Sequence, residues 1–323
     1  LVTNNFFGSS ELFGDFTSVG NLNIKFRDQE SKPSNYLRVL DLANSLGLVQ
    51  YNIHKTTYKR EYFCSYPDRV LAMKFSASDQ KNISFDLRMD ILQDSSIVEI
   101  EGNTYQVKGF INNNHRPFNV LIYVRNIGGT VGQHGSSLTV RGSDIIELYL
   151  TVATDYKMRY PDYTGDNPER ITRDIIQHAV NDNYENLKIR HLSDYKSLYD
   201  RVALSVEGNR KTEKLPTNER FQSLKSGESD PGYKTLAFNL GRYMIISSSR
   251  TNALPANLQG VWNTFIHSPW AGNYQSNINL QEIYWSCGPT DLTECQQTYI
   301  DWIENLAISG KEIAKRVYGT NGW

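Results

Sequence analysis

The sequence is 323 residues long, and its 39% hydrophobic and 21% charged residues provide enough apolar material for a sizeable core and exclude a chain that is disordered overall. Lys and Arg number 34 against 35 Asp and Glu, so no basic field exists to hold nucleic acid or an anionic membrane. The length predicts two or three structural units.

The chain begins with LVTNNFFGSS, without an initiating Met and without the pattern of a signal peptide. We therefore expect a processed product or a piece of a longer chain. No run of about 18 uncharged apolar residues occurs anywhere, which predicts that no helix spans a membrane.

From residue 14 to about residue 153, apolar and polar residues alternate in short runs. The clearest runs are NLNIKF (21–26), VLAMKFSA (70–77), NISFDLRM (82–89), NVLIYVRN (119–126) and IIELYLTVAT (145–154). Turn-forming clusters such as SASDQKN and INNNHRP separate them. β-Branched and aromatic residues at this spacing predict an antiparallel β-sandwich, in which IIELYLTVA, apolar on both faces, is a central strand.

Helical signals begin at YPDYTGDNPER (160–170). Asn167 is a good cap for a helix whose first position is Pro168. A second helix is predicted from about Tyr184 to Val202. The stretch that follows, RVALSVEGNRKTEKLPTNER, predicts one strand and a polar loop.

Two more helices are predicted in the C-terminal third, beginning after Pro231. On the first of them, one side is predicted to carry Leu236, Leu240, Tyr243 and Met244. Asp291 and Glu294 resemble a capping box at the start of the second, and Gly319 fits its C-terminal stop.

A long loop, from about Thr251 to Ser276, separates these two helices. Loops of this length in a compact domain are usually functional or disordered. Trp262 and Trp270 argue against disorder, so we expect a functional loop. The 20 Tyr and 5 Trp of the chain are core material first, but flat rings also stack on sugar faces.

Asn277 and Asn279 stand one residue apart in NYQSNINLQEIYW (273–285), among aromatic residues and with almost no charge. Asparagine favours neither helix nor strand, because its side chain competes for backbone hydrogen bonds. From the residues alone, Asx turns that satisfy backbone groups are the commonest role of such a pair. If the segment is extended, the spacing points both side chains to the same side, as a binding pair requires.

The chain resembles glycoside hydrolase family 95, the 1,2-α-L-fucosidases and their α-L-galactosidase relatives. Four stretches in order carry the resemblance: RYMIISSSR (242–250), LPANLQGVWN (254–263), SPW (268–270) and NYQSNINLQ (273–281). Earlier stretches that look like the matching parts of the family are FGDFTSVGNLNIKF (13–26), NYLRVLDLANSLGLVQY (35–51), YKREYFCSYPDRV (58–70) and HLSDYKSLYDRV (191–202). The resemblance therefore covers nearly the whole chain.

The resemblance implies three parts. Residues 1–155 would form an N-terminal antiparallel β-sandwich that lacks its first strands, and residues 156–215 a helical linker. Residues 216–323 would form the first helices of an (α/α)6 catalytic barrel, whose remaining helices would follow Trp323. The 323-residue chain alone is therefore expected to be inactive.

The family's reaction resembles an inverting hydrolysis, for which ordinary enzymes use two carboxyl groups roughly 6.5–9.5 Å apart. By resemblance, Asn277 and Asn279 would instead position the attacking water. Asn279 would be the amide that a carboxylate from elsewhere polarises and orients, and Asn277 its helper. The family's general acid, a Glu, and its supporting Asp are expected beyond residue 323.

Gln275 stands where the family usually has His, and it is expected to line the sugar pocket near the exocyclic carbon. It could hydrogen-bond a hydroxyl there, where a methyl group would gain nothing. Trp270, Trp262 and Asn263 are further candidates for substrate binding, although the tryptophans could equally be loop core. Gln275 leaves open an α-L-galactosidase beside the first interpretation, an α-L-fucosidase. Gly288, where the family usually has an acidic residue, leaves open a non-catalytic glycan-binding relative.

Neither a cofactor nor a metal is expected. Cys64, Cys287 and Cys295 lack metal-ligand spacing and are predicted to be buried small hydrophobes. Cys287 and Cys295 would be separated by roughly 12 Å on one continuous helix, too far for a disulfide. His191 is predicted to be a helix-packing residue. The expected partners are an oligosaccharide or glycan and the remaining C-terminal barrel portion, but neither nucleic acid nor a membrane, in an extracellular or periplasmic location.

Overall fold

The computed structural model describes residues 16–27, 29, 31–208 and 212–323, so the first 15 residues of the expected sandwich lie outside the described residues. Twelve antiparallel strands precede the helices in the described part of the chain. Their bounds are β1 (Gly20–Phe26), β2 (Ser34–Asp41), β3 (Leu46–Ile53), β4 (Thr56–Ser65), β5 (Val70–Ala77), β6 (Ile83–Ile91), β7 (Ser95–Glu101), β8 (Thr104–Phe110), β9 (Pro117–Ile127), β10 (Thr130–His134), β11 (Ser137–Ser143) and β12 (Ile145–Thr154).

The strands form two sheets. One has four strands in the order β1-β6-β11-β10, and the other has eight in the order β2-β3-β4-β5-β12-β9-β8-β7. Their inner faces share one apolar cluster, in which Phe85, Leu87, Val120, Ile122 and Leu138 are fully buried. The predicted N-terminal antiparallel β-sandwich is confirmed.

The central position of β12 explains why its sequence is apolar on both faces. It pairs with β5 on one side and β9 on the other. Ile146 and Leu148 point into the sandwich core, whereas Tyr149 joins a second buried cluster on the outer face of the sheet. Successive side chains of a strand point to opposite faces, so a strand covered on both faces loses the polar alternation.

Six α-helices follow in the described residues. They are α1 (Pro168–Asn181), α2 (Tyr184–Tyr199), α3 (Thr217–Lys225), α4 (Gly232–Ser248), α5 (Asn279–Tyr284) and α6 (Thr293–Ile313), with short 3₁₀ turns at Thr212–Lys214 and Pro269–Gly272 and a π-helical turn at Ala314–Tyr318. In the described ranges, every helix is too short or too polar to cross a membrane. The sandwich followed by helices agrees with the predicted order, while the division at residues 155 and 215 and the closure of a barrel stay predictions.

Helix α1 covers the outer face of the eight-stranded sheet and begins as predicted. Asn167 Oδ1 accepts hydrogen bonds from the backbone N–H groups of Glu169 (2.8 Å) and Arg170 (3.2 Å), and Pro168 is the first helical residue. The apolar face of the helix packs Ile175 and Ile176 on the sheet. The cap therefore sets where the amphipathic helix begins.

We expect Asn167→Ala to lower the free energy of unfolding by about 0.5–2 kcal/mol, because it leaves two N–H groups of the first turn without their acceptor. Asn181→Ala, at the exposed last position of the same helix, is the matched control and should change stability by less than about 0.5 kcal/mol. Urea unfolding followed by circular dichroism measures both. Equal losses in the two variants would contradict the capping role.

His191 packs between α2 and the eight-stranded sheet, as predicted. Its ring stacks on Phe63 with 4.8 Å between centroids, and Nε2 lies 3.1 Å from the carbonyl oxygen of Asn44. Burial lowers the pKa of His191, so the neutral ring with its proton on Nε2 is the form that fits this site.

Three expectations about the part of the chain after α2 are wrong: a strand, a polar loop without a helix, and a helix cap. Residues 202–208 form no strand, and the polar loop after them contains helix α3. Asp291 has a positive φ of 53° and does not cap α6, which begins at Thr293 without a side-chain cap. Gly319, in contrast, adopts the left-handed conformation expected at the C-terminal stop.

The face of α4 that is buried differs from the predicted one. Leu240 and Met244 are exposed, whereas Arg242, Ile245 and Ile246 are buried. On the buried side, the Arg242 guanidinium donates to the carbonyl oxygens at the end of α2. The buried side of α4 thus combines the apolar Ile245 and Ile246 with a hydrogen-bonded cation.

The cysteines divide into two kinds. Cys287 and Cys295 are fully buried free thiols, as predicted, but Cys64 on β4 is exposed, so the prediction of burial is wrong for it. Cys287 lies in a turn before α6 and Cys295 in the first turn of that helix, so the argument from one continuous helix does not apply to this pair.

Candidate functional site

The segment between α4 and α6 is anchored by one buried tyrosine. Tyr284, only 2% exposed at the end of α5, has its hydroxyl 2.8 Å from Ser249 Oγ. The same hydroxyl accepts a hydrogen bond of 2.9 Å from the backbone N–H of Ala256. One side chain therefore joins the end of α4, the beginning of the long loop and α5.

Tyr284→Phe should lower the free energy of unfolding by about 1–3 kcal/mol, because it leaves the buried Ala256 N–H without an acceptor. All five tryptophans of the chain lie after residue 260, so tryptophan fluorescence reports on this part alone. Tyr318→Phe, at an exposed tyrosine, serves as the control and should leave the urea midpoint of unfolding unchanged. The anchoring role is refuted if the two midpoints in urea shift equally.

The long loop is also tied to the first described residues of the chain. Asn263 Nδ2 donates to the carbonyl oxygens of Phe16 and Phe265, both at 2.9 Å, and its Oδ1 accepts from the Phe265 N–H at 3.0 Å. Thr17 Oγ1 donates to the Ile266 carbonyl at 2.9 Å. Both ends of the Asn263 amide are thus engaged within the protein, and its role in substrate binding stays a prediction.

The segment containing Asn277 and Asn279 is not extended. Residues 276–278 form a turn, and Asn279 is the first residue of α5, a six-residue helix whose Leu280 and Tyr284 are buried. These two residues lie four apart on one helical face, and their burial favours a helical turn over a strand here. The two asparagine side chains therefore do not share a face by strand alternation.

The two amides differ in their surroundings but share one property. Asn277 is exposed in the turn, while Asn279 is partly buried. Across the described ranges, the side chains of both take part in no hydrogen bond with the protein. Neither amide is used as an Asx-turn acceptor, so both can bind a water or a substrate hydroxyl.

Gln281 and Tyr274 hold the backbone around this pair. Gln281 Nε2 donates to the Ser276 carbonyl at the start of the turn. The Tyr274 ring lies between Phe16, at 5.9 Å, and Trp302, at 4.8 Å between centroids. Gln275, which follows Tyr274 in the chain, is partly buried and has a φ of 44°. Sequence reasoning did not single out Gln281 or Tyr274, because no spacing signal marks either.

The two candidate tryptophans lie in different places. Trp270 is 71% exposed in a left-handed turn where its φ is 51° and that of Ala271 is 54°. Trp262 is 47% exposed and lines a cavity against the sandwich, to which none of the other predicted site residues contributes. The structure therefore groups Gln275, Asn277 and Asn279 along one segment and separates Trp262 from them.

Four buried polar atoms of the long loop and of the segment around the pair have no hydrogen-bond partner in the described part of the chain. They are Gln259 Oε1, Asn273 Oδ1, Tyr274 Oη and Gln281 Oε1. Buried polar atoms are normally paired, and exceptions mark groups whose partner is a water, an ion or another group. Burial also raises the pKa of the Tyr274 hydroxyl, so it is a neutral donor. The long loop and the segment around the pair therefore contain unused neutral donors and acceptors.

The acidic side chains close in sequence are not directed at the two asparagines. Glu294 accepts from Arg201 at 2.8 Å, and this hydrogen bond lowers the pKa of the Glu294 carboxyl. Asp291 lies 4.0 Å from the same guanidinium. Glu282 is exposed on α5. Over residues 16–27, 29, 31–208 and 212–323, no cluster of three or more His, Cys, Asp or Glu could hold a metal ion.

Comparison with known proteins divides the chain into two matches. Residues 183–323 match the model of the glycosyl hydrolase family 95 catalytic domain, and residues 1–159 match that of the glycosyl hydrolase family 65 N-terminal domain. Among solved structures, a putative kojibiose phosphorylase from the human microbiome is 12% identical with a TM-score of 0.49, covering 79% of this chain and 35% of its own.

Two curated relatives match over nearly the whole chain. Alpha-L-fucosidase 2 of Arabidopsis thaliana is 32% identical over 94% of this chain and 40% of its own length. A probable alpha-fucosidase A of Aspergillus niger is 31% identical over 98% of this chain and 41% of its own. The chain thus spans about two fifths of the length of these relatives.

Proposed function

Because the chain belongs to glycoside hydrolase family 95, we propose that a protein of its relatives' full length removes a terminal α-L-fucose from an oligosaccharide or glycan by inverting hydrolysis. The observation that carries the proposal is the pair Asn277 and Asn279, whose amides form no hydrogen bond with the described residues inside the segment that matches the catalytic domain.

The chemistry of an amide suits the role of holding water. The Asn279 carbonyl oxygen accepts a hydrogen bond from the attacking water, while its NH2 group donates to a carboxylate that orients it. Partial burial of Asn279 strengthens both contacts, because water competes less for the amide there. Asn277, exposed in the turn two residues earlier, adds a second contact that holds the water on the face opposite the leaving oxygen.

The described residues supply the amides but not the acid. An inverting hydrolysis needs a group that protonates the leaving oxygen, and the nearby Glu294 is engaged by Arg201. We therefore assign the general acid and the carboxylate behind Asn279 to residues outside the 323, in line with the greater length of the relatives.

Exposed apolar side chains on two helices support this assignment. Leu240 and Met244 on α4 and Leu306, Ile308 and Ile313 on α6 are each at least 40% exposed. Faces of this kind on a soluble protein mark an interaction surface. We propose that further helices of the same catalytic domain pack on these faces and bring the two carboxyl groups to the asparagine pair.

The direct test is sugar release by a protein of the relatives' full length. With 2′-fucosyllactose as substrate, we expect free L-fucose and lactose, with the β-anomer of fucose detected first by proton NMR, as inversion of an α-linkage requires. The 323-residue chain in parallel should release nothing. An α-anomer as the first product would rule out the inverting mechanism, and no release by the longer protein would rule out the activity.

A second candidate is an α-L-galactosidase, favoured by one observation. Gln275 is partly buried beside the pair and can hydrogen-bond a 6-hydroxyl group, which L-galactose has and L-fucose lacks. Comparing kcat/KM for aryl-α-L-fucoside and aryl-α-L-galactoside separates the two activities. Binding of either sugar without any release would favour a non-catalytic glycan-binding protein on the same scaffold.

A further inference from the structure

A cavity of about 360 Å³ lies where the sandwich meets the helical part, away from Gln275, Asn277 and Asn279. Strands β2 to β4 form one wall, helices α2 and α4 form the second, and the loop at Val261 and Trp262 forms the third. Its volume is within the range of small-molecule sites. Neither family comparison nor the proposed reaction uses this cavity.

Aromatic residues make up much of its lining, and two glycines let two of these rings approach the backbone closely. A Cβ on Gly260, whose φ is 69°, would lie 2.7 Å from the ring of Trp262. A Cβ on Gly47 would lie 2.1 Å from the ring of Tyr62. Tyr66, 39% exposed, adds a third ring to the lining. The lining of the cavity therefore offers aromatic side chains, two of which are held close to the backbone.

One ion pair supplies the polar part of the lining. Arg250 Nη2 donates to Asp194 Oδ1 at 2.5 Å, and the guanidinium lies 4.0 Å from the centroid of the Tyr66 ring. Within the described ranges, Asp194 Oδ2 and the other guanidinium nitrogens have no hydrogen-bond partner and are not among the buried unpaired atoms. They remain available to a ligand as neighbouring acceptor and donors.

We propose that this cavity binds a neutral hexopyranose unit of a glycan. An aromatic face is electronegative and attracts the C–H groups of a pyranose ring that lies flat on it. Asp194 accepts from one hydroxyl, and Arg250 donates to its neighbour. The carboxylate and the guanidinium offset each other, so an anionic sugar gains no net attraction. A purely apolar ligand would leave these polar groups unpaired.

The binding site gives the protein a contact with the glycan that is separate from the asparagine pair. It goes beyond the proposed hydrolysis, because it requires neither the general acid nor the residues of the catalytic segment around Asn279. A glycan held there would remain attached to the 323-residue chain whether or not any bond is cleaved.

Cys64 gives a direct measure of occupancy, because it is exposed and lines the cavity. Burial raises the pKa of all three thiols, to about 11 for Cys287 and about 12 for Cys295, but those two side chains are fully buried whereas Cys64 is accessible. Iodoacetamide should therefore modify Cys64 first. At a lactose concentration ten times its Kd, we expect alkylation of Cys64 in the 323-residue chain to slow about tenfold. L-Fucose, 2′-fucosyllactose and glucuronate are compared under the same conditions.

Variants locate the protection in the cavity. Trp262→Ala should weaken the Kd for lactose about tenfold or more, as removal of a ring that anchors a ligand does. Trp323→Ala, at an exposed tryptophan outside the cavity, is the matched control and should leave the Kd unchanged. Far-UV circular dichroism checks that both variants are folded.

The proposal is overturned if none of the three neutral sugars protects Cys64 of the wild-type chain, or if Trp262→Ala is protected as strongly as the wild type at the same lactose concentration. Stronger protection by glucuronate than by lactose would equally reject a neutral ligand. Because these measurements need no hydrolysis, failure of fucose release leaves the cavity proposal standing, and failure of Cys64 protection leaves the hydrolase proposal standing.

Discussion

Replacing Asn279 by alanine in a protein of the relatives' full length is expected to lower kcat by roughly 10²–10⁴-fold, the range for loss of a group that manages a proton of the attacking species. Asn279 is the partly buried member of the pair and begins α5. Its amide would contact the water mainly as the reaction proceeds, so kcat and kcat/KM should fall together while KM changes little. Steady-state release of L-fucose from 2′-fucosyllactose measures all three quantities.

Two comparison variants sharpen this test. Asn277→Ala should lower kcat less, by about tenfold. The Asn277 amide is exposed, so bulk solvent competes for its hydrogen bonds and weakens its contact with the attacking water. Asn21→Ala, on an exposed face of β1, should have wild-type kinetics. Normal turnover by Asn279→Ala would refute the water-positioning role. A rise in KM at constant kcat would instead indicate a substrate-binding amide.

Replacing Arg242 by methionine is expected to destabilise the helical part by about 3 kcal/mol or more, because it leaves several buried carbonyl oxygens without a charged donor. Arg242 is 3% exposed and donates to the carbonyl oxygens of Leu198 (2.9 Å), Tyr199 (3.1 Å) and Thr290. Leu198 and Tyr199 end helix α2, where the helix dipole favours a cation. One side chain thus joins α2, α4 and the segment before α6.

The pKa of Arg242 is lowered by burial, yet an arginine remains charged at neutral pH. The contribution of Arg242 to the free energy of unfolding therefore does not change across ordinary pH values, whereas that of a buried carboxylate does. Tryptophan fluorescence during urea unfolding reports the helical part, since all five tryptophans lie there. For Arg242→Met we expect a lower urea concentration at the midpoint of unfolding and an unchanged dependence of the free energy on urea concentration.

The matched control for Arg242→Met is Arg88→Met. Arg88 lies 3.2 Å from Asp90 in an exposed ion pair, and such pairs contribute about 0–1 kcal/mol. Arg242→Lys keeps the charge but loses the planar group that reaches several acceptors, so its stability should lie between those of the wild type and the methionine variant. Equal transitions for Arg242→Met and Arg88→Met would show that the buried cation does not support the helices.

Local patterns predicted the parts of the fold that depend on neighbouring residues in the chain. The alternation in NISFDLRM (82–89) became β6, and the cap of Asn167 became the start of α1. Both follow from geometry within one element, a period of two in a strand and the free N–H groups of a first helical turn. The motif resemblance likewise identified the family that the comparisons support.

The roles of the candidate site residues stay predictions, and the local geometry of their segment differs from the predicted one. The pair Asn277 and Asn279 was selected for an extended segment, but burial of Leu280 and Tyr284 makes it a turn followed by a helix. Trp262 was grouped with Trp270 because both lie in one loop, yet it faces the sandwich. Which way a loop side chain points depends on contacts with distant residues, and loop sequences contain no period that encodes them.

The sequence by itself determined the succession of a β-sandwich and helices, the central place of β12 and the family, because each depends on short-range pattern or motif. Tertiary structure alone decided that α4 buries Arg242 instead of Leu240, and that Tyr284 holds the loop. It also decided that a cavity opens between sandwich and helices. These features arise where segments far apart in the chain meet, and there the packing and hydrogen bonding of the partner select the face that each segment presents.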